Sequence, residues 1–132
     1  MILHLKAAEA KDVPNLDVIG KSDPYLTFEL TTSPQVWKTK TIQNSLTPKW
    51  NQVFHLPITP RMEDVLTISL YDEDEGKKDD FISQKQFTMQ ELQFGQLTDQ
   101  WYAFTPGKGV KKGGNVRLIF HLDKHDKDSL VV

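Results

Sequence analysis

The chain has no cysteine, so neither a disulfide nor a thiolate metal site can hold it together, and a reducing compartment suits it. No apolar run approaches the roughly 20 residues that a membrane-spanning helix needs. The first residues, MILHLKAAEAKD, alternate and carry charge within a few positions, unlike the basic start and long apolar stretch of a secretory leader. Together these absences point to a cytoplasmic protein. Catalytic signatures are missing as well: there is no G-x-S-x-G elbow, no glycine-rich phosphate loop and no cysteine nucleophile, so the chain reads as a non-enzyme. The four histidines, His4, His55, His121 and His125, are scattered and show no zinc spacing. A net charge of −2 gives no global attraction to nucleic acid.

What is present is alternation. Leu3, Leu5 and Ala7 alternate with His4 and Lys6; Leu26, Phe28 and Leu30 with Thr27 and Glu29. Leu66, Ile68 and Leu70 alternate with Thr67 and Ser69; Val116, Leu118, Phe120 and Leu122 with Arg117 and His121. Period two predicts strands with one buried face. Weaker strand candidates are VWKTKTI (36–42), QVFHLPI (52–58), ISQKQFT (82–88) and QWYAFT (100–105). Turn signals such as IGKSDP, TTSP and PGKG separate them, and the sum is an all-β, antiparallel sandwich of about eight strands. The segment 88–97 has room for one helical turn. His4 and His121 are expected on solvated outer positions, and Trp50, Trp101, Phe54 and Phe120 as core or loop anchors.

Charge is sorted locally. Residues 72–80 read DEDEGKKDD, six acids in nine positions. Taken alone, such a run is most often a solvated loop. An EF-hand is excluded, because positions six and twelve from Asp72 are Lys77 and Ser83 and the flanks read as strands. Asp17 and Asp23 lie in the first long loop, and loops at one end of a sandwich cluster in space. Five carboxylates, Asp17, Asp23, Asp72, Asp74 and Asp80, can therefore converge. Uncompensated, they repel; a hard divalent cation such as calcium, which takes about 6–8 oxygens, removes that cost.

Three segments resemble the C2 domain family. GKSDPYL (20–26) is similar to its G-x-S-D-P-Y signature, SLTPKWNQVF (45–54) to its T-L-N-P-x-W-N-E-x-F segment, and LYDEDEGKKDDFIS (70–83) to its Y-D-x-D-x5-D-F-I-G segment, in the family's order and spacing. The resemblance covers residues 1 to about 123. It implies an eight-stranded Greek-key sandwich, with calcium ligands at Asp17, Asp23, Asp72, Asp74 and Asp80. Lys77 stands where some members have a serine that serves a further ion, so two calcium ions are implied. Asp79 and Glu73 fall off the matched positions and are expected in solvent. Thr47 and Ser83 depart from the family's asparagine and glycine, as structural variations. A start at ILHLKA and a close at GNVRLIFHL imply the family's phospholipase-like topology. Residues 1–123 are read as one C2 domain and 124–132 as a polar, mobile tail.

The resemblance also implies calcium-dependent docking on anionic phospholipid of the phosphatidylserine type, and hence a peripheral membrane protein once calcium rises. Val18 and Ile19, at the first loop's tip, are expected to insert, at up to about 1.5–3 kcal/mol each if fully buried. Gly76 marks the matching tip of the acidic loop, where insertion is weak. KTKTI resembles the lysine-rich, phosphoinositide-binding groove of conventional protein kinase C domains, through Lys38, Lys40 and Tyr25. That match is partial, since Thr27 and Tyr71 replace the groove's other lysine and its tryptophan. The rival readings are a calcium-independent adaptor for a protein partner on the same fold, and the targeting piece of a larger signalling enzyme. The chain is read as a monomer.

Overall fold

The computed structural model describes residues 1–16, 20–92 and 94–123. In chain order the strands are β1 (Ile2–Lys11), β2 (Pro24–Leu30), β3 (Val36–Lys38), β4 (Lys49–Pro57), β5 (Val65–Asp72), β6 (Asp80–Thr88), β7 (Leu97–Ala103), β8 (Thr105–Pro106) and β9 (Asn115–Asp123). Each apolar set that alternates in the sequence turns inward: Leu3, Leu5, Ala7, Leu26, Phe28, Leu30, Leu66, Ile68, Leu70, Val116, Leu118, Phe120 and Leu122 form one core. Two antiparallel sheets enclose it, ordered β4-β1-β9-β7 and β3-β2-β5-β6-β8. The first and last strands are neighbours, paired from Ile2↔Asp123 to Lys11↔Asn115, as the phospholipase-like topology requires.

Among the described residues nine strands replace the expected eight, because the 100–105 segment divides. Phe104, 4% exposed, drives into the core, and the chain crosses from the β7 edge of one sheet to the β6 edge of the other. Pro106 ends on that outer edge, where its missing N–H costs no ladder bond. The predicted strand 36–42 is also shorter, stopping at Lys38. Beyond it Thr39 turns inward, and its hydroxyl accepts the Leu26 amide at 2.9 Å in place of a ladder carbonyl. Lys40 therefore does not continue a regular strand face with Lys38. In 88–97 the amides of Glu91 and Leu92 bond back to Thr88 and Met89, two successive tight turns.

Two expectations about these side chains fail. His4 is fully buried, because its cross-strand partners His55 and His121 cover it. The Nδ1 atoms of His4 and His55 are 2.7 Å apart, the His4 and His121 rings are 5.6 Å apart, and His4 Nε2 lies 3.9 Å from Asp123 Oδ2. Three histidines distant in sequence thus gather on one sheet face; His125 lies outside the described residues. Trp101 is no core anchor. It stands 41% exposed on edge strand β7, with Lys11 Nζ 4.3 Å from its ring centre. Trp50 and Phe120 are buried as expected, and Phe54 packs half-buried against Phe28.

Candidate metal site at one end of the sandwich

Register brings the acids together. Asp72 ends β5 and pairs with Pro24 at the start of β2 on one side and with Asp80 at the start of β6 on the other. The 12–23, 39–48 and 73–79 loops therefore leave the same end of the sandwich, beside the Lys11–Asn115 end of the other sheet. Asp72 is fully buried, and its Oδ1 accepts the Asp23 amide at 2.8 Å. The Glu73 amide returns to the Asp23 carbonyl at 3.0 Å, so the first and third loops are clasped at their roots. Asp23 in turn holds the middle loop, its Oδ1 accepting the Asn44 amide at 2.5 Å. Asn44 tolerates the left-handed φ of 55° that this needs, and its side-chain oxygen takes the Lys21 amide at 2.6 Å.

Asp72, Asp74 and Asp80 each present a carboxylate oxygen within 4.8 Å of the others. Oxygens bound to one calcium lie about 2.3–2.6 Å from it, so two of them stand no more than about 5 Å apart. The donor set, all carboxylate oxygen, suits a hard cation and no soft one. Lys77 Nζ lies 3.9 Å from both Asp74 Oδ2 and Asp80 Oδ2, a weak internal cation on an exposed side chain. A cleft of about 530 Å³ opens here, lined among others by Asp23, Gln43, Glu73, Asp74 and Asp79.

Asp79 is not in solvent as expected. Its Oδ2 accepts the Tyr25 hydroxyl at 2.5 Å and its Oδ1 the Asp74 amide at 2.9 Å. Those two bonds, the phenol's first, hold the Asp79 carboxyl below its usual range. Tyr25 is pushed upward, by burial first and then by the bond to Asp79. Tyr71 stacks on Tyr25 at 5.4 Å, and Lys38 Nζ sits 4.0 Å from the Tyr25 ring centre. The Tyr25–Asp79 pair thus fixes the backbone that presents Asp74. A signal for it exists in the sequence: an aspartate five residues beyond Asp74 can cap that residue's amide. Glu73 likewise is half-buried along the cleft.

Ser22, which sequence reasoning did not single out, is fully buried. It accepts the Leu16 amide at 3.2 Å and donates to the Pro14 carbonyl at 2.9 Å, while Asn15 Nδ2 donates to Gly20 O at 2.9 Å. These bonds set both feet of the first loop. Asp17, Val18 and Ile19 themselves lie outside the described residues. Gly76 is exposed with φ +76°, at a turn that any side chain would strain. Lys40 is exposed, its amide donating to Gln52 Oε1 at 2.6 Å.

A family profile described as C2 domain matches residues 1–104. The chain belongs to the C2 domain family. Among curated relatives it is 34% identical to cytosolic phospholipase A2 delta of Mus musculus, over 79% of this chain and 13% of that one. It is 37% identical to synaptotagmin-4 of Arabidopsis thaliana, over 88% of this chain and 21% of that one. The chain thus spans about a fifth or less of these relatives' length. Among solved structures, a C2 domain of plant extended synaptotagmin 1 superposes with a TM-score of 0.85 at 19% identity, covering 96% of both chains, which speaks for the fold. The calcium-bound pair of C2 domains from extended synaptotagmin 2 gives 0.77 at 30% identity, over 90% of this C2 domain and 44% of that chain.

Proposed function

We propose that this C2 domain is a calcium-dependent docking module for anionic phospholipid membranes. The observation that carries the reading is the convergence of the Asp72, Asp74 and Asp80 carboxylates at one end of the sandwich, with Asp23 clasped beside them. Asp23, Asp72, Asp74 and Asp80, with Asp17, would hold two calcium ions. When bound, calcium supplies positive charge and open coordination positions for lipid phosphate oxygens. Asp72, rooted in β5, and Asp74, held by Asp79, keep their carboxylates in place with little need for rearrangement. Val18 and Ile19 would insert beside them, with little insertion at Gly76. Lys38 on Tyr25, with Lys40 nearby, offers a cationic side for phosphoinositide. The calcium-bound state of a 30% identical solved relative supports the reading. Among the described residues no helix is long and apolar enough to cross a membrane, which suits peripheral attachment. Residues 1–123 would act as the domain, 124–132 as a tail, and the domain as a cytoplasmic, non-catalytic monomer.

Co-sedimentation with phosphatidylserine-containing vesicles, in calcium and in chelator, tests this beside Asp72→Asn/Asp74→Asn. The wild type should pellet strongly with calcium and only marginally in chelator, and the variant should lose the calcium-dependent increment. Equal pelleting with chelator, or none in either condition, would favour a calcium-independent adaptor.

A further inference from the structure

Lys108, Lys111 and Lys112 take no part in the acidic cleft. They lie in the stretch GKGVKKGG, residues 107–114, which has three positive charges and no acid. This stretch links β8 to β9 and rejoins the sandwich at Asn115, the partner of Lys11. It therefore emerges at the same end as Asp72 and Asp80, beside the foot of the first loop. Its base is fixed. A Cβ on Gly113 would lie 2.0 Å from the Phe104 carbonyl oxygen, and Gly114 needs a φ of +78° against the backbone of Lys11 and Asp12. The Gly107 amide bonds to Ile82 O at 2.8 Å, and the Val110 amide closes a turn on Gly107 O at 3.0 Å.

Between this loop and the first lies a pocket of about 400 Å³. Pro14, Leu16 and Val110 supply apolar walls, and Lys111 and Lys112 border it. All three lysines of the stretch are exposed. Asp12, at the foot of the first loop, is engaged elsewhere: its Oδ2 accepts Asn115 Nδ2 at 3.2 Å.

We infer that this pocket is a second, calcium-independent contact for the headgroup of an anionic lipid. The lysines would take the phosphate, and Pro14, Leu16 and Val110 the adjoining glycerol and acyl carbons. The inference rests on the proposed docking of this end on a membrane. Apolar walls beside ammonium groups suit an amphiphile, whereas a free phosphate has no use for them. Lysine is a hydrated point charge on a flexible stem, suited to a mobile headgroup rather than to a bidentate partner. The acidic cleft needs a cation before it can approach an anionic surface; the basic loop needs none.

The test uses vesicles of phosphatidylcholine with and without about a third phosphatidylserine, in calcium and in chelator. The proteins are wild type and Lys108→Gln/Lys111→Gln/Lys112→Gln. Each lysine near an anionic leaflet is worth about fivefold in partitioning, so the triple variant should bind at least about tenfold more weakly in calcium. Its calcium-binding heat and melting temperature should be unchanged, and the residual wild-type binding in chelator at low salt should vanish. If the variant partitions like a calcium-dependent wild type, the inference is overturned and the calcium reading stands. If wild type ignores calcium while the variant loses its chelator-phase binding, the lysine contact stands and the calcium reading falls. Displacement of the chelator-phase binding by millimolar inorganic phosphate would also overturn the inference, since the pocket would then take a soluble anion.

Discussion

The two ends of the sandwich each carry buried aspartate and use it oppositely. At one end Asp64, 1% exposed, is wrapped by donors: the Thr32 hydroxyl, the Thr59 amide at 3.1 Å and the Thr59 hydroxyl at 3.3 Å. One carboxylate there ties the 31–34 loop to the 58–64 loop. At the other end three carboxylates face a common point, with the ammonium of Lys77 at 3.9 Å from two of them. Where protein donors surround a carboxylate, the group is part of the scaffold. Where carboxylates crowd one another with few protein donors, the proposed cation would complete the arrangement.

Exchanging the ends by mutation gives the largest effects. Asp64→Ala removes a buried carboxylate that three donors of Thr32 and Thr59 share and should cost about 1–3 kcal/mol in chemical denaturation. The increment that calcium adds should survive, because that end is untouched. Asp72→Asn/Asp74→Asn should do the reverse. Asparagine still offers an oxygen to the Asp23 amide, so stability in chelator should hold. The calcium increment, about 2.7 kcal/mol for wild type at a hundredfold excess over Kd, should disappear. If both variants lose stability in chelator alike, the acidic end is scaffold too.

The acidic end of this contrast is legible in the sequence, whereas Asp64 carries no signal there. The alternating sets locate the core strands, and the spacing of SDPY and of DEDEGKKDD locates Asp23, Asp72, Asp74 and Asp80, because strand register carries those residues to one end. The rest depends on contacts between segments distant in sequence. Asp79 reads as solvent until the Tyr25 hydroxyl, 54 residues away, is seen to reach it. His4 reads as an outer residue until β4 and β9 bring His55 and His121 over it. The end of β3 turns on a single hydroxyl, that of Thr39, replacing a carbonyl. Period-two reasoning assigns faces; it does not say what will cover them.

The contact that most directly sharpens the acidic end is the phenol of Tyr25. Tyr25→Phe keeps the stacking on Tyr71 and removes only the bond to Asp79. Stability in chelator should fall by about 1 kcal/mol. Calcium affinity by calorimetry should fall about three- to tenfold as the Asp74 backbone loosens. Asp79→Asn should match it in affinity. A loss of stability with unchanged affinity would make the pair scaffold, like Asp64. Lys77→Ser should act in the opposite direction. Removing an exposed cation that leans on Asp74 and Asp80 should raise calcium affinity about two- to fivefold with little change in stability.

A carboxylate away from both ends calibrates the comparison. Asp99 on β7 receives Arg117 Nε at 2.9 Å and Nη2 at 2.6 Å across the β7–β9 pair, while Arg117 Nη1 reaches Glu9 at 3.0 Å. Arg117's hydrogen bonds hold the Asp99 carboxyl below its usual value. A carboxyl depressed in the folded state contributes stability that is present above the unfolded value, about pH 4, and is lost as pH falls through the folded one. Asp99→Asn should therefore lower the melting temperature by only about 2–4 °C near neutrality, because the group is exposed and screened. The difference from wild type should close as pH falls through the depressed Asp99 value, and shrink in high salt. Asp64→Ala should keep its deficit in high salt, since a buried carboxylate wrapped by hydroxyls and an amide is not screened. A deficit for Asp64→Ala that salt erased would place it with Asp99 as a surface charge and dissolve the contrast between the two ends.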